Sequence, residues 1–329
     1  MGMAAHPFTA SSPAGGGARP DEHRLTGRTA SVLLLTGATG SVGRALLRRL
    51  TASGEPVRCL VRDPRRLGAD RVRVQIALGD LADPPSFRNA MRGVRTVVHL
   101  AAAIRDQPAG SIEELNGIAT WRMVRAAERA GVEHFVFMSS LGAARHDRTR
   151  FLRAKALAEE AVLASGVRHT VLAPSMIYAP GDMFMTLLER MALLLPVMPV
   201  SGRGEAVYQP IWVEDVADCV MASLGTQPGA DSVANGAQRY ELAGPQTLSH
   251  EQIVALVLCA AGRKRPIVNV PTPLVSRGLR SVEMLMKSRA PATWDEAELL
   301  EVSMTSTRGT QDAQRLGVTP REMRDVLGH

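Results

Sequence analysis

Residues 32–43, with the sequence VLLLTGATGSVG, constrain the fold of this chain more than any other stretch. An apolar run leads into a Thr-Gly pair at Gly37, and the chain then passes Gly40 and Gly43 before a helical pattern begins. A buried strand, a glycine-rich turn and a helix start, in this order, form the arrangement that binds the pyrophosphate of a dinucleotide. The stretch therefore predicts a nucleotide-binding strand–turn–helix unit.

Each of these three glycines is expected to have its own task. One makes the tight turn, one lets the backbone approach the phosphates, and one lets the helix and the strand pack closely. Backbone N–H groups of the turn and the following helix would meet the pyrophosphate. The predicted cofactor contacts of this unit are Gly37, Thr39, Gly40, Ser41, Val42 and Gly43. A plain strand-to-helix turn without a ligand is the alternative.

Strand-like and helix-like patterns alternate up to residue 173, which predicts an α/β fold with a doubly wound parallel sheet. Predicted strands cover 31–36, 56–62, 72–79, 96–101, 134–139 and 170–173. Predicted helices cover 41–53, 84–91, 112–130 and 151–165. Ligands of such sheets bind at the carboxyl ends of the strands.

The pattern loosens after Pro174. Predicted helices cover 183–195, 214–224, 249–261 and 273–286, and predicted strands cover 208–211, 239–243 and 267–270. Ser249 should cap its helix, with Gln252 completing a capping box. We expect a disordered tail (1–28), a nucleotide-binding domain (29–173) and a smaller α/β lobe (174–329), interleaved with that domain, which closes over the nucleotide and supplies the substrate pocket.

The end of the second predicted strand bears on the choice of cofactor. A carboxylate there would bind the adenosine ribose 2′-hydroxyl and favour NAD(H). This chain has Arg62 followed by Asp63, with Arg65 and Arg66 nearby. A guanidinium suits a 2′-phosphate because it can bind in bidentate geometry. NADP(H) is therefore favoured over NAD(H). Asp63 keeps the NAD(H) alternative open, and Arg62 could also be a solvated charge.

Two further strand ends carry candidate contacts. Asp80 and Leu81 follow the third predicted strand, where the carboxylate could meet the adenine amino group or instead cap the next turn. Ala101 and Ala102 lie at the end of the fourth, where they are small enough for the cofactor to lie across it, or where they form only a loop.

Composition disfavours several classes of protein function. The formal charge is +7, but the charges are spread along the chain and the few aromatic residues do not interleave with them, so a nucleic-acid partner is not expected. The three cysteines are far apart and lack CxxC spacing, so neither a metal site nor a disulfide is expected. No apolar run is long enough to span a membrane, and the first residues lack the apolar centre of a signal peptide. We expect a cytoplasmic protein, either free or peripheral to the membrane.

Six motifs carry a resemblance to a known superfamily: TGATGSVG, GDL, VVHLAAA, SSLGA, PSMIYAPGD and QPIWVEDVA. They occur in the order found in extended and atypical short-chain dehydrogenase/reductases, over about residues 31–244. Within these, the chain resembles the NmrA-like group and the nucleotide-binding accessory subunits of respiratory complex I. The resemblance implies a Rossmann-type fold that holds NADP(H) or NAD(H), with turnover absent in several members.

The resemblance also implies a catalytic set. In the family, a Ser or Thr at the end of the fifth strand works with Tyr-x-x-x-Lys on the next helix, and the lysine lowers the pKa of the tyrosine from its ordinary value near 10. Ser139, Ser140 and Lys155 match, but the tyrosine position holds Phe151, which has no proton to exchange. General acid–base help is worth about 10²–10⁴-fold, so a poor or inactive reductase is expected by the ordinary mechanism.

Three interpretations remain open. Lys155 alone could hold the ribose and act as the acid, as in the isoflavone-reductase-like relatives. His146, Tyr178 or Tyr208 could replace the phenol. The protein could instead bind nucleotide without turnover, as a sensor, an assembly factor or a structural subunit. Lys155 could also be an ordinary exposed helix lysine.

After the sixth predicted strand, the resemblance implies that the backbone of Pro174, Ser175 and Met176 packs beside the nicotinamide ring. Glu214 and Asp215 open a predicted helix, where carboxylates suit the N-terminus, and we interpret them as structural.

Two apolar stripes lie in the second half of the chain. The stripe on 183–195 consists of Phe184, Leu187, Leu188, Met191, Leu194 and Leu195. Three interpretations are open for it: part of the hydrophobic core, a wall of an apolar substrate pocket, or an exposed patch for a partner or lipid. The stripe on 273–286 is Leu274, Val275, Leu279, Val282, Leu285 and Met286. With Arg277, Arg280 and Lys287 beside it, it could pack on the lobe or lie on an anionic membrane.

The favoured function is an NADP(H)-binding protein that, if active, transfers hydride to or from a small apolar carbonyl or quinone-like compound. The competing class is a non-catalytic nucleotide sensor or assembly factor. A sugar-nucleotide epimerase is a third alternative, weakened by Phe151 and by the apolar lobe. The residues leave the oligomeric state open.

Overall fold

The alternating patterns form a seven-stranded parallel sheet in the computed structural model, which describes residues 32–225, 238–271, 275 and 293–328. The predicted tail, 1–28, lies outside the described residues, and so does the predicted helix 273–286 with its stripe, apart from residue 275.

The described strands are β1 (Val32–Thr36), β2 (Val57–Val61), β3 (Gln75–Leu78), β4 (Val94–His99), β5 (His134–Met138), β6 (Arg168–Pro174), β7 (Ile177–Tyr178), β8 (Met198–Ser201), β9 (Val207–Tyr208), β10 (Ile211–Trp212), β11 (Gln238–Leu242), β12 (Leu248–Ser249) and β13 (Ile267–Val270). The described α-helices are α1 (Ser41–Ala52), α2 (Pro84–Arg88), α3 (Ala119–Ala130), α4 (Arg150–Leu163), α5 (Met183–Leu194), α6 (Val213–Gly225), α7 (His250–Ala260), α8 (Trp294–Leu299), α9 (Gln311–Arg315) and α10 (Met323–Leu327).

The strand order of the central sheet is β11-β6-β5-β4-β1-β2-β3, and every neighbouring pair is parallel. The order reverses at β1, which lies between β2 and β4. Ligands of open parallel sheets bind outside the carboxyl ends of the strands at such a reversal. The glycine turn directly follows β1, so the fold brings it to this point. The predicted doubly wound α/β fold is confirmed.

Helices cover both faces of the sheet because successive side chains of a strand point to opposite faces. Leu33 and Leu35 of β1 pack in a cluster with apolar side chains of α1 and α6, whereas Leu34 packs in a cluster with those of α3 and α4. Every residue of β1 is buried, as expected for a central parallel strand. The turn that follows β1 therefore starts from a rigid base.

A third apolar cluster lies beyond the carboxyl ends of β5 and β6. It joins Leu188 of α5 to Ile253 and Val257 of α7, and it includes Tyr208 and Met304. These elements come from the second half of the chain, but β11 and α6 from the same half belong to the central sheet and its covering layer. The proposed boundary at residues 173/174 stays a prediction.

Several element predictions differ from the structure in detail. The predicted strand 208–211 is two short strands, β9 and β10, because Pro210 lies between them and has no N–H for a ladder. β3 is shorter than predicted, and Pro64–Val72 before it forms 3₁₀ turns. The predicted helix 112–130 contains a π-helical turn, Glu114–Ile118, before α3. The capping box of Ser249 and Gln252 is confirmed.

Within the ranges that the structure describes, no helix combines the length and the apolar character needed to cross a membrane.

Candidate functional site

Two glycines of the turn after β1 are required by the packing of the chain itself. Gly37 has a backbone φ of +74°, a left-handed conformation that residues other than glycine rarely adopt. A Cβ at this position would also lie 2.7 Å from the backbone N of Ala101. A Cβ on Gly43 would lie 2.1 Å from the carbonyl O of Gly37. Gly37 therefore makes the tight turn beside the end of β4, and Gly43 lets α1 pack against that turn.

Gly40 is different, since the chain does not require a glycine at this position. Its φ of −79° and ψ of 171° are open to any residue, and a Cβ would meet only the carbonyl O of Gly37, at the ordinary contact distance of 3.4 Å. Gly40 is exposed, and it is the N-cap residue of α1 with no side-chain cap. The missing side chain leaves the surface at this helix end open to an approaching group.

A cleft of about 220 Å³ opens over this turn. One wall is the turn and the start of α1, including Gly37, Gly40, Ser41, Val42 and Gly43. The other wall is Ile177, Tyr178, Ala179 and Asp182. The first turn of α1 holds no acidic residue, so no carboxylate of this helix competes for its N–H groups. The Asp182 carboxylate on the other wall is engaged locally, because it accepts from Ala179 N at 3.0 Å and from Met185 N at 2.8 Å. This arrangement suits an anion such as a pyrophosphate. Thr39 lies on the turn, half-buried.

Arg62 lies just beyond β2, where its side chain is exposed and donates from Nη1 to Oε1 of Gln107 at 3.1 Å. Asp63 is engaged locally, because its Oδ1 accepts from the N–H of Arg65 at 3.0 Å and from Nε of the same arginine at 3.0 Å. These bonds hold the pKa of the Asp63 carboxyl below its usual value. Arg62 therefore has the more accessible charge of the two.

Asp80 caps the turn after β3, as one of the two interpretations expected. Its Oδ1 accepts from the N–H of Ala82 at 3.0 Å, and the side chain is half-buried. Leu81 packs on the core beneath. Contact with adenine stays a prediction for both residues.

The end of β4 is held by an asparagine that the sequence reasoning missed. Asn116 is buried in the π-helical turn, where its Oδ1 accepts from Ala103 N at 3.1 Å. Its Nδ2 donates to the carbonyl oxygens of Ala103 and Ile112, at 2.7 Å each. Ala101 is half-buried and Ala102 is exposed just before this clamp. The sequence signal for this role is weak: Asn116 is a polar residue on the face of the predicted helix that otherwise carries apolar residues.

His99, the last residue of β4, was also missed. Its Nδ1 lies 2.8 Å from Oγ1 of Thr36, and its Nε2 lies 3.1 Å from Oγ1 of Thr120. Complete burial, helped by the nearby charge of Lys155, lowers the pKa of His99 to about 3. The ring is therefore neutral at ordinary pH and connects β1, β4 and α3.

Lys155 is buried, so the interpretation of it as an exposed helix lysine is wrong. Its Nζ donates to the carbonyl O of Met138 at 2.7 Å, at the carboxyl end of β5. The same Nζ lies 5.0 Å from the ring centre of Phe137 and 5.7 Å from that of Phe151. Burial lowers the pKa of Lys155 to about 7, against a smaller opposing effect of Glu159. The amine can therefore gain or lose a proton near neutral pH.

The two serines after β5 are buried and already have acceptors. Ser139 donates from Oγ to Oε2 of Glu159 at 2.6 Å, and Glu159 also accepts from Nε of Arg239 at 2.7 Å. Ser140 donates from Oγ to the carbonyl O of Leu141 at 3.1 Å. Glu159 lies four residues after Lys155 on α4, and the sequence reasoning did not single it out.

The three candidate substitutes for the missing phenol lie in different places. His146 is exposed in the loop between β5 and α4. Tyr208 donates from its hydroxyl to the carbonyl O of Leu300 at 2.6 Å, which ties it to the end of α8. Tyr178 lines the cleft over the glycine turn, and among the described residues its buried hydroxyl has no hydrogen-bond partner. Burial raises the pKa of the Tyr178 phenol well above its usual range.

The segment after β6 is pinned by its neighbours. The carbonyl O of Pro174 accepts from Leu141 N at 2.8 Å, and Ser175 donates from Oγ to the carbonyl O of Met304 at 2.6 Å. The carbonyl O of Met176 accepts from Ile211 N at 2.9 Å. The backbone that was expected beside the nicotinamide therefore has a fixed conformation, and its contact with the ring stays a prediction.

Glu214 and Asp215 have the structural roles expected of them. Glu214 forms ion pairs of 2.6 Å with Arg48 and with Arg49 of α1. The buried carboxylate of Asp215 pairs with Arg321 at 2.9 Å. They join α6 to α1 and to the C-terminal segment.

Comparisons with known proteins agree with this geometry. A family model described as NAD(P)H-binding matches residues 37–226. Subunit 9 of the NADH dehydrogenase (ubiquinone) 1 alpha subcomplex, mitochondrial, of Arabidopsis thaliana is 27% identical over 79% of this chain and 65% of the relative. The NAD(P)H azoreductase of Xenophilus azovorans is 30% identical over 70% of this chain and 74% of the relative.

The chain spans 65%, 61% and 56% of the length of three curated relatives that it matches. Among solved structures, a nucleoside-diphosphate-sugar epimerase from Staphylococcus aureus superposes with a TM-score of 0.67 at 20% identity. The superposition covers 90% of this chain and 99% of that one. This likeness concerns the fold alone.

Proposed function

The chain belongs to the NAD(P)H-binding family, within the extended and atypical short-chain dehydrogenase/reductases, and we propose that it binds NADP(H) and transfers hydride to or from a small apolar carbonyl or quinone-like compound. The observation that carries the nucleotide part is Gly40. Its conformation and its surroundings would accept a side chain, yet none is present where the uncapped end of α1 meets the cleft. A pyrophosphate bound by the N–H groups of α1 would use the space that the absent side chain leaves.

The proposed preference for NADP(H) rests on Arg62. Among the residues that the structure describes, its exposed guanidinium is bonded only to a neutral amide, that of Gln107, whereas Asp63 already binds Arg65. A 2′-phosphate at the end of β2 would offer Arg62 a charge-assisted bond in place of that neutral one. The carboxylate that would select a ribose 2′-hydroxyl is engaged elsewhere.

Calorimetric titration with NADPH and NADH tests both parts. Arg62→Ala should weaken NADPH binding about tenfold or more, the loss of one charge-assisted contact, and change NADH binding by less than about threefold. Arg66→Ala removes an exposed guanidinium four residues away and serves as the matched control. Failure of the unmodified chain to bind either nucleotide contradicts the function, and equal losses for the two nucleotides in Arg62→Ala contradict the phosphate contact.

Lys155 is the proposed acid. Bound NAD(P)H supplies the hydride, and a proton must reach or leave the substrate oxygen. A pKa of about 7 gives the Lys155 amine the proton affinity that general acid–base catalysis near neutral pH requires. The neighbouring rings of Phe137 and Phe151 make its surroundings apolar, which favours an apolar substrate. The azoreductase among the relatives supports the assignment to reductases.

A nucleotide-binding protein without turnover is the second candidate, and one observation favours it. The Lys155 ammonium is held by the carbonyl of Met138 and is almost fully buried, while the inert Phe151 stands in place of its usual tyrosine partner. The complex I subunit among the relatives is consistent with a role inside an assembly. NADPH consumption with a panel of apolar quinones and aldehydes separates the candidates. Turnover that disappears in Lys155→Met supports the reductase, and binding without turnover supports the second candidate.

A cytoplasmic location completes the proposal. Cys59, Cys219 and Cys259 are free thiols in the structure, which suits a reducing compartment.

A further inference from the structure

The C-terminal end of α5 carries an exposed apolar surface. Leu193 and Leu194 have 58% and 83% of their surface exposed, and Leu195, Val197 and Val268 are exposed beside them. The predicted stripe on 183–195 is therefore core only over part of its length: Met185, Leu188 and Ala192 are buried, whereas Leu194 faces solvent. Consecutive exposed leucines are unusual, because each one forgoes the favourable free energy that burial of its side chain would give. We name Leu193, Leu194, Leu195, Val197 and Val268 the leucine patch.

Parallel strand pairing brings a basic segment to the same place. β13 pairs with β8 in the register Ile267 to Met198, so the residues just before each strand run side by side. The segment before β13 is Arg263-Lys264-Arg265, and the segment before β8 contains the leucines. Arg265 donates from Nε to the carbonyl O of Ala192, the residue preceding Leu193, at 3.2 Å. The basic segment therefore borders the leucine patch.

The charged side chains of the two segments that form this surface are basic, and acidic residues occur only at their borders, at Glu189, Glu205 and Glu251. Residues 190–204 and 252–271 contain no Asp or Glu. Within the part of the chain that the structure describes, Arg190, Arg263, Lys264 and Arg265 form no ion pair. Lys264 and Arg190 are exposed. The exposed side chains of Lys264 and Arg190 are thus available for an anionic partner.

We propose that the leucine patch and its basic border dock the protein on an anionic lipid surface. Aliphatic side chains would enter the boundary between headgroups and acyl chains, while the cations meet lipid phosphates around them. A second copy of this chain fits poorly, because two surfaces of the same sign repel each other. A protein interface is expected to be rich in aromatic side chains and poor in lysine, and the leucine patch has no aromatic member and borders Lys264. A lipid surface suits the observed chemistry best.

Co-sedimentation of the full chain with vesicles tests the proposal. Vesicles of phosphatidylcholine with about 30 mol% phosphatidylglycerol should bind the protein at about 0.15 M salt, and vesicles of pure phosphatidylcholine should bind it far less. The double substitution Leu193→Gln and Leu194→Gln should reduce partitioning about tenfold or more. Lys264→Glu should reduce it about tenfold.

Matched controls separate this site from diffuse attraction. Leu78→Gln changes another exposed leucine, on the edge strand β3, and Arg73→Glu changes the net charge by the same amount as Lys264→Glu. Both should keep partitioning within about twofold of the unmodified chain. NADPH affinity and thermal unfolding check that each variant folds.

Three results would overturn the proposal. One is the absence of binding to anionic vesicles. Another is a loss in the control variants as large as in the patch variants. The third is a leucine patch that mediates self-association or captures an acidic protein without binding vesicles.

Discussion

Single residues decide whether the cleft can hold a dinucleotide, and Gly40 and Gly43 differ in how they contribute. A methyl group on Gly43 would collide with the carbonyl O of Gly37 at 2.1 Å, which backbone atoms cannot relieve without moving α1. A methyl group on Gly40 would occupy space that the chain leaves open. The first change therefore acts on the fold and the second acts on the ligand.

The prediction that follows concerns two alanine substitutions. Gly40→Ala should weaken NADPH binding about tenfold or more, while the free energy of unfolding falls by only about 0.5–1 kcal/mol, the cost of alanine in place of glycine at an N-cap. Gly43→Ala should lower the free energy of unfolding by about 2 kcal/mol or more through overpacking. Calorimetric titration and urea unfolding measure the two effects. Unchanged NADPH affinity in Gly40→Ala would contradict the proposed approach of the pyrophosphate.

Phe151 lies near Lys155, at the position where the resemblance predicts a tyrosine. Phe151→Tyr should raise the rate of NADPH consumption with a quinone substrate by about 10²–10⁴-fold, the usual range of general acid–base help. Phe184→Tyr adds the same hydroxyl to a partly buried ring of α5 and is the control. A rate that stays unchanged in Phe151→Tyr would mean that the substrate oxygen does not come near this position.

At the scale of elements, the π-helical turn before α3 shows how one side chain orders a strand end. Asn116 binds both backbone groups of Ala103, so the segment that follows β4 has one conformation beside Gly37. A continuous α-helix would place this amide differently, and π-turns are frequent at functional sites. The element therefore links the helix layer to the segment that lies beside Gly37.

Asn116→Ala should lower the free energy of unfolding by about 2–4 kcal/mol, because it leaves buried backbone groups of Ala103 without partners. NADPH affinity should fall as well, since the end of β4 loses its support. Asn89→Ala, at an exposed position, is the control and should change stability by less than about 0.5 kcal/mol. Urea unfolding measures stability. An Asn116→Ala protein as stable as the unmodified chain would contradict the proposed role of the Asn116 hydrogen bonds.

The elements that the sequence predicted best are those whose signal is local. Alternating apolar runs and helical periodicity locate the strands and helices of the central sheet within a few residues. The π-turn escaped because nothing within the helix sequence reports that Asn116 will find the backbone of Ala103. Pro210 did carry a local signal, the missing N–H, and it divides the predicted strand into β9 and β10.

At the scale of the whole molecule, buried histidines couple the fold to pH. Burial, helped by the charges of Arg168 and His169, lowers the pKa of His134 to about 4, and burial lowers that of His99 to about 3. In the unfolded chain both would titrate near 6.5. Between the folded-state pKa of each histidine and its unfolded-state pKa of about 6.5, the unfolded chain binds more protons than the folded protein. The free energy of unfolding therefore decreases as pH falls below about 6.5.

For each of these histidines, the free energy of unfolding should fall by about 1.4 kcal/mol for each pH unit of acidification between its unfolded and folded pKa values. For His134 this range runs from about pH 6.5 down to about pH 4. His134→Gln should therefore flatten the pH dependence of urea unfolding in this range. His146→Gln, at an exposed position, should leave it unchanged. The assignment fails if both variants show the slope of the unmodified chain.

The same linkage applies to Lys155 with a different window. Its pKa falls from 10.5 to about 7 on burial, so the unfolded state holds the extra proton between these values and stability rises with pH across that range. If Lys155 is the acid, the reduction rate should instead fall as pH rises through about 7, because the donor loses its proton. A pH–rate profile measured beside the unfolding curve distinguishes the two effects.

The sequence by itself determined the strand–turn–helix unit of residues 32–43 and the parallel sheet around it, because apolar periodicity and glycine conformation act between near neighbours in the chain. Through the resemblance, it also predicted that Phe151 stands where the family has its catalytic tyrosine. Only the tertiary structure decided that Lys155 is buried on the carbonyl of Met138, that Asp63 is engaged by Arg65, and that the leucines at the end of α5 remain in solvent. Burial, pKa and exposure depend on which distant segments come within a few ångströms, and local patterns do not contain that information.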